Sequence, residues 1–180
     1  MSYSLDELRY PIGQFEKPEI ISTEHLNTWK GDIAVFPSKL KSEVIDLTTD
    51  ALNWVYRPQG WTIQQVVHHC ADSHMNALMR LKLTLTEEQP AIRPYEEARW
   101  AMLADTLESP IEWSLQFLEA LHLKWIYLLD QLDEIQLGRT YIHPEHQTVF
   151  DLRETIGMYA WHCNHHLAHV RQAIKHQGVF

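Results

Sequence analysis

Apolar residues recur at helical spacing in four long segments of this chain, and this pattern constrains the fold more than any other feature. The segments lie at about 22–52, 61–89, 109–138 and 148–175. Pro37 is expected to break or restart the first helix, because proline has no backbone N–H to donate. Four long amphipathic helices in 180 residues predict one all-α domain over residues 1–180, a four-helix bundle.

The segments between these helices carry the residues typical of turns and loops. Residues 1–21 are expected to form an irregular N-terminal arm, since they contain Pro11, Gly13 and Pro18. Residues 90–108 predict a loop with a short extra helix between the second and third long helices. Residues 139–147 predict a loop, and no run of the chain alternates cleanly enough to predict a strand.

Charge and composition exclude several classes of function. Lys and Arg number 15 against 24 Asp and Glu, giving a formal net charge of -9. Such a surface repels nucleic acids and anionic membranes, so neither is an expected partner. No run approaches the roughly 18 apolar residues of a membrane span, and the N-terminus lacks the features of a signal peptide. The two cysteines are too few for a disulfide framework, so a cytoplasmic protein is expected.

The twelve histidines of the chain are densest in the fourth helix, over residues 161–169. Histidines four residues apart on a helix project from one face and can hold one metal ion. Two such pairs are present, His162 with His166 and His165 with His169. At about 100° per residue, His166 lies on the edge of the apolar stripe and His162 just outside it, whereas His165 points well away from it. Spacing therefore favours His162 and His166 as ligands, the alternative being two ordinary surface histidines.

A third ligand is expected from a facing helix, because a catalytic zinc site usually has three protein ligands and one open position. The second helix offers His68, His69 and His74. His74 falls in the middle of the apolar stripe, which periodicity favours for an inward-facing group. His69 shares its face with small polar residues, which suits a water-filled cavity better. Helical phase alone leaves this choice open.

Several runs of the sequence resemble the DinB-like family. Gly60-Trp61-Thr62 is followed by His69-Cys70-Ala71-Asp72, and His162-x-x-x-His166 lies near the C-terminus. Further likeness at 9–13, 66–69, 72–76 and 159–162 extends the resemblance over nearly the whole chain. Within the family the chain is most similar to the YfiT type of proposed metal-dependent hydrolases, also described as bacillithiol transferases.

The resemblance implies one divalent metal ion bound by His69, His162 and His166, and it implies a homodimer. It leaves His74 as a core residue or as a residue behind the ligands. Zinc is expected first and nickel second, because imidazole binds both. Many relatives read His-His-x-Gly-Gln where this chain has residues 165–169, so the role of His169 stays open.

Other residues near the expected ligands have alternative interpretations. Asp72 could orient an imidazole, as carboxylates behind metal ligands do, or lie on a solvated face. Cys70 and Cys163 are expected to be small buried hydrophobic residues rather than thiolate ligands. His143 and His146 are expected in an exposed loop. The large aromatic residues expected in the core are Trp61, Trp125 and Trp161.

Three neutral imidazoles and an open metal position support two reactions. A bound water whose pKa falls to about 7 supports hydrolysis, whereas a small thiol held as thiolate supports transfer to an electrophile. Thiol transfer is favoured, because no Glu stands beside the histidines as in His-Glu-x-x-His enzymes. Arg57, Arg80 and Arg93 are candidates for binding an anionic thiol cosubstrate. A non-catalytic metal-binding protein is the further alternative.

Overall fold

The computed structural model describes residues 4–145 and 147–180, and its long elements are helices. The elements of this part of the chain are, in order, α1 (Leu5–Arg9), α2 (Thr23–Val44), α3 (Thr49–Leu52), α4 (Ile63–Thr86), α5 (Glu97–Trp100), α6 (Ala104–Leu107), α7 (Ile111–Asp130), α8 (Glu134–Leu137), β1 (Thr140–His143), β2 (Thr148–Asp151) and α9 (Leu152–His176). No helix within these ranges is long and apolar enough to cross a membrane.

The four long helices pack as a bundle around one apolar core. Going around the bundle, the order is α2, α7, α4 and α9, and each helix packs extensively on its two neighbours. The buried apolar side chains of all four helices form one continuous cluster. The four-helix bundle expected from the apolar periodicity is therefore present, but α2 and α4, which follow each other in sequence, lie diagonally across it.

Contacts between side chains fix the directions of the helices. Four hydrogen-bonded pairs show two parallel neighbours: Asp32–Asn164 and Glu43–Arg171 join α2 to α9, and His68–Ser114 and His74–His122 join α4 to α7. The α4–α9 pair is antiparallel, because His69 meets His162 whereas Arg80, further along α4, meets Tyr159.

This arrangement needs long connections, because neither a diagonal nor a parallel pair of helices can be joined by a short turn. Residues 45–62 cross from α2 to α4, residues 87–110 return the chain so that α7 runs parallel to α4, and residues 131–151 cross from α7 to α9. All the short helices except α1, and both strands, lie in these connections.

The expected break at Pro37 is wrong, because α2 continues through this residue from Thr23 to Val44. A proline at position 37 cannot donate to the carbonyl of Ile33, four residues earlier. The Nδ1 atom of His122 on α7 lies 2.7 Å from that carbonyl oxygen and takes the missing place. The helix therefore tolerates its proline because a neighbouring helix supplies the lost hydrogen bond.

The expectation that no strand forms is also wrong. Strands β1 and β2 form an antiparallel hairpin in which Tyr141 pairs with Phe150. Backbone bonds between Ile142 and residues 90–92 tie the hairpin to the preceding connection. These pairings are distant in sequence, so four-residue strands leave little local signal. The fourth long helix accordingly begins at Leu152, where Asp151 caps it, and not at Thr148.

Other boundaries differ because local caps decide them. The arm contains the helix α1, which begins at a capping box formed by Ser4 and Glu7. Residues 90–108 hold two short helices, α5 and α6, instead of one. The third long helix ends at Asp130, and Asp133 caps the separate helix α8 before Gly138. The second long helix, α4, ends at Thr86 and therefore stops before Pro90.

Two glycines in long helices offer a matched test of this packing. A Cβ at Gly157 of α9 would lie 2.8 Å from two ring carbons of Trp29 and 3.0 Å from Phe15, whereas a Cβ at Gly31 of α2 would meet nothing within 4 Å. We expect Gly157→Ala to lower the free energy of unfolding by about 1–3 kcal/mol through overpacking. Gly31→Ala should raise it by roughly 0.5–1 kcal/mol. Equilibrium urea unfolding followed by circular dichroism measures both, and equal stabilisation by the two changes would contradict the close approach.

Candidate metal centre

Three histidines from two facing helices converge on one point between α4 and α9. They are His69 of α4 and His162 and His166 of α9, and their candidate ligand atoms all lie within 4.8 Å of one another. The Nε2 atoms of His69 and His162 are 3.3 Å apart. Tetrahedral zinc with Zn–N bonds of 2.0–2.1 Å sets its nitrogen ligands about 3.4 Å apart. The spacing fits two ligands of one ion better than a hydrogen bond, since it is long for one.

Local sequence sets the position of each of these rings. Thr62 caps the helix α4, and its side chain and that of Gln65 form a capping box that fixes the start of the helix about two turns before His69. His162 and His166 are one helical turn apart, so their rings lie on the same side of α9 with centroids 4.4 Å apart. The antiparallel contact of α4 with α9 then brings His69 to face both.

Burial keeps the three imidazoles neutral. His69 and His166 are buried, and His162 keeps partial exposure. Burial is the main cause that lowers the pKa of His69 to about 4. Burial, followed by the proximity of the other histidines, also holds the pKa values of His162 and His166 well below the usual value. All three rings therefore have a free lone pair at neutral pH, which is the form that binds a metal ion.

His74 does not join this group but lies directly behind it. The ring is fully buried, as its place in the apolar stripe predicts, and its Nε2 atom is 3.0 Å from Nδ1 of His162. Its Nδ1 atom is 2.8 Å from Nε2 of His122 on α7. Sequence reasoning missed His122, although a polar residue among the buried positions Leu118, Leu121 and Trp125 signals a required partner.

The second histidine pair of α9 lies under the N-terminal arm. His165 points away from the core as expected, but it is buried against Trp161, whose ring centroid is 4.4 Å from its own. His169 places Nε2 3.0 Å from the carbonyl oxygen of Arg9 and Nδ1 3.4 Å from Nδ1 of His166. The role of His169 is thus a contact between the arm and a candidate ligand.

The cysteines and Asp72 stay outside the candidate ligand set. Cys70 and Cys163 are fully buried, and burial raises the pKa of each thiol well above its usual value, so both behave as small hydrophobic residues. Asp72 is partly exposed, and burial raises its pKa to about 6. Within residues 4–145 and 147–180, no hydrogen bond joins its carboxylate to an imidazole. It therefore lies on a partly solvated face.

The three tryptophans expected in the core have different environments. Trp125 is buried in the core. Trp161 donates to the carbonyl oxygen of Gly13 in the arm, at 3.0 Å. Trp61 is partly exposed and packs on His69, with ring centroids 4.7 Å apart, so it borders the candidate metal centre instead of filling the core. Of the two expected loop histidines, His143 lies in β1 and His146 lies outside the described residues.

Polar groups border the metal centre on the side towards the end of α4. The Ser73 hydroxyl is 3.4 Å from Nε2 of His162, and the Tyr159 ring is 5.8 Å from the His162 ring. The buried guanidinium of Arg80 donates to the Tyr159 hydroxyl at 3.2 Å. Nε of Arg80 is buried in this region without a hydrogen-bond partner in the described part of the chain, and the buried hydroxyl of Tyr95 lies near Ser73. A polar ligand would find an unpaired donor here.

The neutral histidines predict that the metal-free protein loses stability in acid. The pKa of His69 and of His122 lies at about 4 in the folded state, mainly through burial, against 6.5 in the unfolded chain. Because only the unfolded chain takes up the protons, the free energy of unfolding should fall as pH drops from about 6.5 to 4, by on the order of 1 kcal/mol per pH unit for each histidine. Urea unfolding of chelator-treated protein measures this slope. His69→Gln should make it shallower, and an unchanged slope in that variant would contradict the assignment.

Comparison with known proteins agrees with this architecture. The DinB superfamily model matches residues 37–170. YfiT of Bacillus subtilis, named "putative metal-dependent hydrolase", is 43% identical over 171 residues, which cover 95% of this chain and 96% of that protein. A protein of Oceanobacillus iheyensis with the same description is 47% identical over 167 residues, 93% of this chain and 96% of its own length.

A solved structure gives the same result for the fold. YfiT from Bacillus subtilis, described as "a probable metal-dependent hydrolase with an unusual four-helix bundle topology", superposes with a TM-score of 0.92 at 42% identity. The match covers 96% of this chain and 98% of that one. Because a family model covers most of the chain and several relatives are similar over nearly all of it, the chain belongs to the DinB superfamily.

Proposed function

We propose that this protein is a metal-dependent S-transferase that joins a low-molecular-weight thiol of the bacillithiol type to an electrophilic substrate. One observation carries the proposal. His69, His162 and His166 converge as neutral imidazoles, and the group contains no fourth His, Cys, Asp or Glu among the described residues. Three such ligands suit a catalytic ion, whereas a structural zinc is normally closed by four protein ligands.

A divalent ion held by these residues, zinc in the first instance and nickel in the second, supplies a positive charge that lowers the pKa of a thiol or a water. The residues around it exclude solvent and orient the reactants. Trp61 packs on His69 and closes one side, while Ser73 and Tyr159 offer hydroxyl groups on the other side.

The surrounding acids favour a thiol over a water as nucleophile. Hydrolysis needs a protein base to take a proton from the water. Glu154 is held by Lys17 in an ion pair at 2.7 Å, and the carboxylate of Asp72 contacts no ligand imidazole in residues 4–145 and 147–180. In thiol transfer the S–H proton is lost to solvent on binding, the S–C bond forms, and the leaving group departs with its electron pair. No protein base is required.

Arg80 is the best placed of the three arginines to bind the anionic part of a thiol cosubstrate. Arg93 is exposed, and Arg57 donates to the neighbouring Pro58 carbonyl at the surface. Arg80 is buried beside Tyr159, and within the described ranges no carboxylate lies at ion-pair distance from it. Among the acids, Glu97 interacts with Arg80 through its charge but forms no direct ion pair with it in the described ranges, so a carboxylate of the cosubstrate could add that ion pair.

Metal-dependent hydrolysis is the second candidate, and the names of the relatives favour it. A single assay series separates it from thiol transfer. Protein loaded with one equivalent of zinc or nickel is incubated with a fluorogenic alkyl chloride and bacillithiol, cysteine, glutathione or coenzyme A. Chloride release should accelerate with bacillithiol and should not accelerate with His162→Ala. An activated ester tests hydrolysis in parallel.

The possible outcomes exclude one another. Ester hydrolysis without thioether formation would replace the transferase by a hydrolase. One equivalent of bound metal with neither activity would favour a non-catalytic metal-binding protein. A wild-type protein that binds no metal would contradict every one of these functions.

Arg80→Met should raise the KM for the anionic thiol by about tenfold or more, because one charge-assisted hydrogen bond is lost. The metal content should stay at one equivalent, and the KM for the electrophile should change little. Arg93→Met is the matched control, since it removes an exposed arginine. Thermal unfolding of both variants checks that the protein remains folded. An unchanged thiol KM in folded Arg80→Met would exclude Arg80 as the anion site.

A further inference from the structure

A line of three hydrogen-bonded imidazoles, His162, His74 and His122, connects one candidate metal ligand to a backbone carbonyl of α2. The carbonyl oxygen of Ile33 on α2 is 2.7 Å from Nδ1 of His122 on α7. Nε2 of His122 is 2.8 Å from Nδ1 of His74 on α4, and Nε2 of His74 is 3.0 Å from Nδ1 of His162 on α9. Each of the four long helices contributes one member.

The Ile33 carbonyl at one end of this line determines which nitrogen donates in each of its hydrogen bonds. A carbonyl oxygen can only accept, so Nδ1 of His122 carries the hydrogen. A neutral imidazole has one N–H, which makes Nε2 of His122 an acceptor and Nδ1 of His74 the donor to it. Since the N–H of His74 is then on Nδ1, its Nε2 is an acceptor, and Nδ1 of His162 is the donor to it. His162 is then left with its lone pair on Nε2, the atom that lies 3.3 Å from Nε2 of His69.

Pro37 makes the carbonyl available. In an ordinary helix, the N–H of residue 37 would bond to the carbonyl of Ile33. Proline has no N–H, so this buried carbonyl must be satisfied from outside the helix. The hydrogen bond from His122 at 2.7 Å does so. The proline inside α2 and the histidine inside α7 are therefore parts of one arrangement.

Packing keeps the two intermediate rings from rotating. The Phe36 ring has its centroid 5.2 Å from that of His74 and 5.7 Å from that of His122. Trp125 packs on the same two rings, with centroids 5.8 and 5.5 Å away. Both histidines are at most 2% exposed, and the further neighbour at Nε2 of His74 is Cys163 Sγ, at 3.9 Å, whose weak S–H could only donate to that nitrogen. The tautomers are thus determined by the line itself.

We propose that Pro37, His122 and His74 are positioning residues that hold His162 in the tautomer and orientation needed to bind the metal through Nε2. This inference rests on the metal site of the proposed function but not on the reaction that the site performs. Partners behind metal ligands commonly change metal affinity by about 10–100-fold when they are removed.

The first test measures tautomers directly in metal-free protein. Long-range ¹H–¹⁵N correlation spectra of ¹⁵N-histidine protein distinguish a ring protonated on Nδ1 from one protonated on Nε2. In the wild type, His162, His74 and His122 should each carry the proton on Nδ1. His122→Leu should shift His162 towards the Nε2–H form, because His74 loses its acceptor. A wild-type His162 protonated on Nε2 would overturn the proposal.

The second test measures zinc affinity by competition with a chromophoric chelator. His122→Leu and His74→Leu should weaken binding by about 10–100-fold. His122→Gln should recover most of the affinity, since an amide can both donate to the Ile33 carbonyl and accept from His74. The matched control is His68→Leu, which removes a buried histidine of α4 whose hydrogen bond goes to Ser114 instead of a ligand.

Stability separates positioning from simple packing. Thermal unfolding of the metal-free variants should show comparable losses for His68→Leu and His122→Leu, with zinc affinity reduced only in the latter. Equal affinity in His122→Leu, His68→Leu and wild type would overturn the proposal. Neither test uses enzymatic activity, so both can be interpreted even if the proposed reaction is wrong. A wild-type protein that does not bind zinc would instead show that the metal site itself is wrong.

Discussion

The buried imidazoles of this structure need hydrogen-bond partners, and the packing of the four long helices supplies them. A ring nitrogen left unpaired in the core costs about 1–3 kcal/mol. The line from Ile33 through His122 and His74 to His162 pairs every nitrogen along it and passes through α2, α7, α4 and α9 in the order in which they surround the core. The same contacts thus join the four helices of the bundle and the candidate ligand His162.

This pairing is not a general property of the histidines in the protein. Nε2 of His68 and Nδ1 of His165 are buried without a hydrogen-bond partner among the described residues. Both rings lie beside candidate ligands in sequence, and the His165 ring packs on that of His166, with centroids 5.1 Å apart. The complete pairing along the line behind His162 therefore sets His74 and His122 apart from His68 and His165.

The sequence predicted the features that depend on local periodicity and spacing. Four amphipathic helices and the His162–His166 pair follow from apolar residues and histidines at helical intervals. The choice between His69 and His74 could not be made in this way, because α4 packs on two helices at once. His74 faces the centre of the bundle and His122 of α7, whereas His69 faces α9, and a single apolar stripe cannot distinguish these two inward directions.

Features that depend on distant pairing were also missed. The hairpin of β1 and β2 is held by residues 90–92, which are some fifty positions away along the chain. The continuity of α2 depends on His122, which is still more remote from Pro37 along the chain. In both cases the local sequence predicts a different backbone structure, a loop or a helix break, and a hydrogen bond that forms only in the folded chain decides the outcome.

The line to His162 passes from α2 to α4 through α7, although α2 and α4 lie diagonally across the bundle. Phe36 of α2 packs on the His74 ring of α4, with centroids 5.2 Å apart, but the hydrogen bonds from the Ile33 carbonyl reach His74 through an imidazole on a helix that contacts both. The helix α7 meets this requirement, and His122 lies where it faces Ile33 and His74 together. Pro37 of α2, His122 of α7 and His74 of α4 thus belong to one hydrogen-bonded arrangement behind the candidate ligand His162.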